Sequence, residues 1–292
     1  MLNVRSFYMS TKEKRKNPIV HFVVKLVVLL ILIGIIFYLS FTIFFDFARK
    51  RSLEETTLPF AAYNENTIFS IDKILLFSSA SASNVTAKAN GSWVLDVNQY
   101  TDIAIYLDTG NFSTFTDENT IKSLTIDQVK LGTPKQGTPH LFYKDMNTFA
   151  TFVPEPEENV LTSENSLEYT ILPSTGSIDY TKPQIYQTAN NPITLGYVNT
   201  LQTEAVITDT STPLVHDGSL LKKASIPISS IANTISFRIT IINNLNQRFS
   251  TIVSLEIPVY DEGVGNYGNL YNGSIVKHLA SETYLYRLYR FQ

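Results

Sequence analysis

Apolar and polar positions divide this chain into two unlike parts. Residues 26–45 (LVVLLILIGIIFYLSFTIFF) carry no charge. At 1.5 Å per residue, an uninterrupted apolar run of about 20 residues is long enough to cross a hydrocarbon layer of roughly 30 Å. The run is apolar on every side rather than along one stripe, which a helix on the surface of a globular domain would not be. It therefore predicts one transmembrane α-helix within residues 19–47, marked along its length by Leu26, Leu30, Ile33, Phe37, Phe41 and Phe45. A cleaved signal peptide would have a shorter core with small residues close behind, whereas here the charged stretch 46–51 follows, so the reading is an uncleaved anchor. Gly34 is the single glycine of the run, which leaves no G-x-x-x-G face for helix pairing.

From Thr67 onward the period changes to alternation. Ile103, Ile105 and Leu107 share one face of a predicted strand. Residues 121–131 resume the pattern with Leu124 and Ile126 in phase and Val129 and Leu131 out of phase, which predicts a β-bulge near Asp127–Gln128. Short strands are predicted over 167–172, 193–198 and 214–220, the last with Asp217-Gly218 as a tight hairpin turn. The clearest hairpin sets Ile235, Phe237, Ile239 and Ile241 against Val253, Leu255 and Ile257, with the turn at 243–247. Residues 78–91 (SSASASNVTAKANG) read as a small, polar link. Strands separated by turn residues, with no long helical period between them, predict a mainly β protein. The expected architecture is an antiparallel β-sandwich, jelly-roll-like or tandem immunoglobulin-like, behind one N-terminal transmembrane helix.

The domain plan that follows is a short basic tail (1–18), the anchor (19–47), a stalk (48–64), the sandwich (65–262) and a C-terminal tail packing on it (263–292). A division into two sandwiches would fall at 154–165, which is acidic and proline-bearing. The tail is expected to hold a short amphipathic helix or a last strand.

Charge orients the anchor. Lys12, Lys14, Arg15 and Lys16 precede it and outweigh Arg49, Lys50 and Arg51 behind it, which predicts a cytoplasmic N-terminus, an extracytoplasmic domain and the lipid bilayer as first partner. A net charge of −3 over 292 residues provides no basic face for nucleic acid. The absence of cysteine removes disulfides, thiolate metal sites and a cysteine nucleophile. An Asn- and Ile-rich composition is the kind an AT-rich bacterial genome encodes.

Chemistry is harder to place. The four histidines, His21, His140, His216 and His278, have no metal-pair spacing, and no G-x-S-x-G elbow occurs. Ser70–Lys73 and Ser219–Lys222 match S-x-x-K without its companion elements. Acidic turns at 108–111 and 117–119 are explained by Asx-turn hydrogen bonding as well as by calcium, and Glu155, Glu157 and Glu158 sit on a loop. No Gly-rich phosphate loop occurs, and no cofactor, metal or catalytic residue is assigned. Trp93, Tyr143 and Tyr186 are the candidate ligand surface, because aromatic side chains build protein- and glycan-binding faces. The expectation is a non-enzymatic, membrane-tethered binding or structural module at the cell surface. Its partner would be a protein or an envelope glycan, and the alternative is a membrane-tethered carbohydrate-binding or carbohydrate-active module.

Overall fold

The computed structural model describes residues 26–29, 31–34, 63–64, 68–90, 92–110, 114–154, 160–205, 216–261, 269–270, 274–278 and 288–291. The chain forms two units, Met1–Ser52 and Leu53–Gln292. In the first, residues 26–29 and 31–34 are helical with exposed side chains. Among the described residues no helix is long and apolar enough to cross a membrane. Leu30, Phe37, Phe41 and Phe45 of the expected span, and the basic residues Lys12, Lys14, Arg15 and Lys16, lie outside the described residues.

The second unit is mainly β. Its strands are β1 (Tyr63–Asn64), β2 (Ser70–Ala87), β3 (Trp93–Asp108), β4 (Ile121–Leu131), β5 (Thr138–Tyr143), β6 (Val160–Leu161), β7 (Leu167–Leu172) and β8 (Gln184–Tyr186). Then come β9 (Ile193–Ala205), β10 (Asn233–Asn243), β11 (Arg248–Ile257), β12 (Tyr260–Asp261), β13 (Asn269–Leu270), β14 (Ser274–His278) and β15 (Tyr289–Phe291). A seven-stranded sheet runs β1-β15-β11-β10-β4-β7-β8, and a six-stranded sheet runs β14-β2-β3-β9-β5-β6. Every pairing is antiparallel except β7 with β8.

The two sheets share one apolar core. Ile74, Leu76, Ile103, Ile105, Leu195 and Tyr197 come from the six-stranded sheet, and Leu124, Ile126, Phe237, Ile239, Phe249 and Val253 from the other. Alternation produces this directly, since successive side chains of a strand point to opposite faces. A smaller second core lies where β2, β3 and β9 run on past the main one. There the short helices Leu220–Lys223 and Ile228–Ile231 cover Ala80, Ala82, Leu95, Val97 and Leu201.

The predicted hairpin is present, with Ile235 opposite Leu255, Phe237 opposite Val253 and Ile241 opposite Phe249. So is the bulge: the β10–β4 register shifts between Ser236 and Arg238, with Gln128 at φ 52°, and Val129 is buried. Strands on either side of 154–165 interleave in both sheets, since β7 pairs with β4, and β9 with β3 and β5. The described parts of the C-terminal segment add β14 to one sheet and β15 to the other, with Leu288 fully buried.

Two expectations are corrected. Residues 78–87 are not a link but the second half of β2, paired through to Trp93. Their small side chains are buried at Ser78, Ser79, Ala80 and Ala82, and the two short helices pack against the alanines. Asp217-Gly218 does not turn a hairpin. Its carboxylate accepts from the Ser219 N–H at 2.8 Å and hydroxyl at 2.6 Å, starting the helix Leu220–Lys223 instead. An Asx turn satisfies free N–H groups at a helix start as readily as it reverses a strand.

Candidate functional site

The outer face of the six-stranded sheet holds the most unusual chemistry. Odd-numbered residues of β3 point into the sandwich, so Tyr100 and Asp102 point out. Asp102 pairs with Gly196 of β9, and Gly196 in turn with Phe142 of β5. The Phe142 ring lies directly over this glycine: a Cβ there would meet the ring at 2.6 Å. Gly196→Val is therefore expected to lower stability by about 1–3 kcal/mol through overpacking, read from the denaturant midpoint. An unchanged midpoint would mean that the ring moves aside freely.

Lys144 follows β5 and is tied to β9, its carbonyl accepting from the Thr194 hydroxyl at 2.6 Å. The chain then turns through Met146–Thr148, capped by Asp145 accepting the Asn147 N–H at 2.8 Å, and folds back over the sheet. Phe149, Ala150 and Phe152 cover a patch of Phe77, Tyr100, Phe142 and Val198. Beneath this cover Lys144 Nζ lies 3.4 Å from Asp102 Oδ2, with side chains only 3% and 2% exposed. Each partner also grips the covering segment. Asp102 Oδ2 accepts from the Ala150 N–H at 2.7 Å, and Lys144 Nζ donates to the Thr151 carbonyl at 2.6 Å. Ala150 holds φ 64°, a left-handed conformation unusual for alanine.

Burial dominates the electrostatics. Loss of solvent pushes the Asp102 carboxyl up to about 6, with Lys144 only partly opposing the shift. The same loss of solvent lowers Lys144, against the attraction of Asp102 and Asp145. Both shifts favour the neutral acid and the neutral amine, so desolvation outweighs attraction within the pair. A cavity of about 230 Å³ opens beside the pair, lined by Phe142, Tyr143, Lys144, Asp145, Thr148 and Val153 among others.

Two other polar features are structural. On the inner face, a belt between the two cores joins Ser78 to Thr101 (2.7 Å), Gln99 to Thr101 (3.1 Å) and Asn233 to Tyr197 (3.1 Å). Among the described residues, Gln99 Oε1 and Asn199 Oδ1 of this belt have no hydrogen-bond partner. At the bulge, Arg238 Nε donates to Asp127 Oδ1 at 2.7 Å and Nη2 to Oδ2, a two-point clamp between β10 and β4.

The structure does not bring the three aromatic candidates together. Trp93 is half-buried against the second core. Tyr143 is buried in the main core, its hydroxyl donating to the carbonyls of Tyr180 and Lys182 at 2.8 and 2.6 Å. Trp93 is opposite Ala205 of β9 and Tyr143 opposite Leu195, which separates the two by about 33 Å along the strand. Tyr186 is half-buried on β8 in the other sheet and donates to the Gly176 carbonyl at 3.0 Å. The acidic turns hold backbone: Asp108 accepts the Gly110 N–H at 2.9 Å, and Asn119 the Thr116 N–H at 2.7 Å. No group of three or more potential metal ligands occurs among the described residues.

Sequence reading passes over Asp102 and Lys144 because Asp102 alternates cleanly with apolar neighbours and so looks solvated. The signal that could have found them is the pair of aromatics Phe149 and Phe152 on a segment just after Lys144, which need an apolar face to cover. No protein-family model, no curated protein and no solved structure matches the chain.

Proposed function

We propose that this chain is a single-pass membrane protein whose β domain stands outside the cell and serves there as a structural or binding module. The observation that carries the reading is the uncharged run 26–45 set between a basic N-terminal tail and a β domain. The domain is read as one continuous jelly-roll-like sandwich rather than two tandem ones, because strands from both halves of the chain interleave in both sheets. A protein partner is favoured over a glycan, since Trp93, Tyr143 and Tyr186 pack against the domain rather than forming an exposed stacking platform. The proposed contact face is the open groove of about 500 Å³ lined by Thr133, Asn233, Glu256, Pro258 and Tyr260, the last of which is 47% exposed.

A chain without cysteine makes the topology easy to test. Ser174→Cys, on an exposed turn, is expected to react with a membrane-impermeant maleimide on intact cells, while Ser10→Cys reacts only after permeabilisation. The opposite labelling pattern would invert the topology, and labelling of neither in a membrane pellet would remove the anchor.

A further inference from the structure

We propose that Lys144 and Asp102 are a modification site, at which the lysine amine and the aspartate carboxyl condense into an intramolecular amide that ties the end of β5 to β3 across β9. The geometry carries this. Nζ and the carboxyl oxygen are 3.4 Å apart, and both side chains are excluded from water. Each residue is fixed independently, Lys144 through its backbone carbonyl to Thr194 and Asp102 within the centre of β3. Intramolecular pairs held in a well-oriented contact reach effective molarities of about 10⁵–10⁸ M.

The electronic requirements are met by the same burial. Amide formation needs an unprotonated amine and a protonated carboxyl, whereas water favours the ion pair. Burial raises the carboxyl and lowers the amine, so moving one proton from Lys144 Nζ to Asp102 costs less here than it would at the surface. The amine then adds to Asp102 Cγ. Negative charge gathering on the carboxyl oxygen is met by the Ala150 N–H, already 2.7 Å from Oδ2. The Thr151 carbonyl, accepting from Nζ at 2.6 Å, holds the nitrogen in place. Collapse of the adduct breaks one C–O bond, the nitrogen gives up a proton to the departing hydroxyl, and one water leaves. Bonds and protons balance without an oxidant or a cofactor. The neighbouring charged and titratable groups are Asp145 beside Lys144 and Tyr100 beside Asp102.

A covalent tie at this point suits a chain with no cysteine for disulfides. It would lock the covering segment over Phe77, Tyr100, Phe142 and Val198.

Mass spectrometry of the purified, denatured full chain tests this directly. The expected result is an intact mass lighter than the sequence mass by one water, with proteolysis releasing a branched species that joins the Asp102 and Lys144 peptides. Lys144→Arg and Asp102→Ala should each restore the full mass. The readout does not require either variant to fold, because the wild-type branched peptide decides the matter alone. A wild-type mass equal to the sequence mass overturns the proposal. So does a loss of water with the two peptides still separate, which would point to a succinimide elsewhere.

Discussion

Lys144→Met is expected to cost about 3–5 kcal/mol of stability near neutral pH relative to the unlinked ion pair, because it strands a carboxylate inside the protein. Asp102 is 2% exposed, and without the ammonium it keeps the hydrogen bond from the Ala150 N–H. The variant should also show an inverted response to acid. Asp102 already sits at about 6, above its usual range, with Lys144 opposing the rise. Removing Lys144 raises it further. A carboxyl whose folded value lies above its unfolded value binds its proton more readily in the folded state, so stability rises as pH falls through the folded value. The denaturant midpoint of Lys144→Met should therefore be higher near pH ~5 than near pH ~8. Asp102→Asn/Lys144→Met, with neither charge, should recover much of the loss and lack this pH term. Neither variant can form the proposed amide, so their comparison reads the buried charge alone. A single variant as stable as the double near pH ~8 would show that water reaches Asp102 and that the covering segment is open.

Phe249→Ala is expected to be comparably damaging, at about 3–5 kcal/mol. Phe249 is fully buried on β11, opposite Ile241, and its ring meets Phe69 edge-on at a centroid distance of 5.0 Å. Phe69 leads into β2 of the six-stranded sheet, so this contact spans the two layers. Truncation removes the transfer energy of the ring, the edge-to-face contact and the packing around it. The sheets cannot close the gap cheaply, because Ile74, Ile239 and Val253 of the same core are held by strand pairing on both layers. Phe249→Leu, which retains most of the volume, should lose clearly less. Equal losses from the two would assign the cost to the backbone of β11 rather than to the cavity. Loss of cooperativity in the alanine variant would mean that the interlayer contact defines the fold as well as stabilising it.

The contrast between the hairpin β10–β11 and the buried pair shows where sequence reading succeeds. Ile235, Phe237, Ile239 and Ile241 alternate with Ser236, Arg238 and Thr240, and alternation alone fixes which face is buried. The bulge at Gln128 was legible for the same reason, since a change of parity between Ile126 and Val129 needs one extra residue. Where the pattern carries no apolar contrast, local reading misleads. Ser78, Ser79, Ala80 and Ala82 look like a linker, yet they lie in the middle of the longest strand. Their burial is imposed by β3 and by segments far away in sequence, as when Val259 donates to Ser78 Oγ at 2.9 Å.

By itself the sequence determined the apolar run at 26–45 and the mainly β class, because both are properties of a segment and its nearest neighbours. Only the tertiary structure decided that Asp102 and Lys144 meet, and that Trp93, Tyr143 and Tyr186 do not. Forty-two positions separate the two charged residues, which come together because β9, from farther along the chain, inserts between β3 and β5. The segment after Lys144 then removes water from both. Whether a carboxylate is an ordinary surface charge or a strongly perturbed acid is decided by what covers it, and the covering residues are set by the order of strands, which no local pattern encodes.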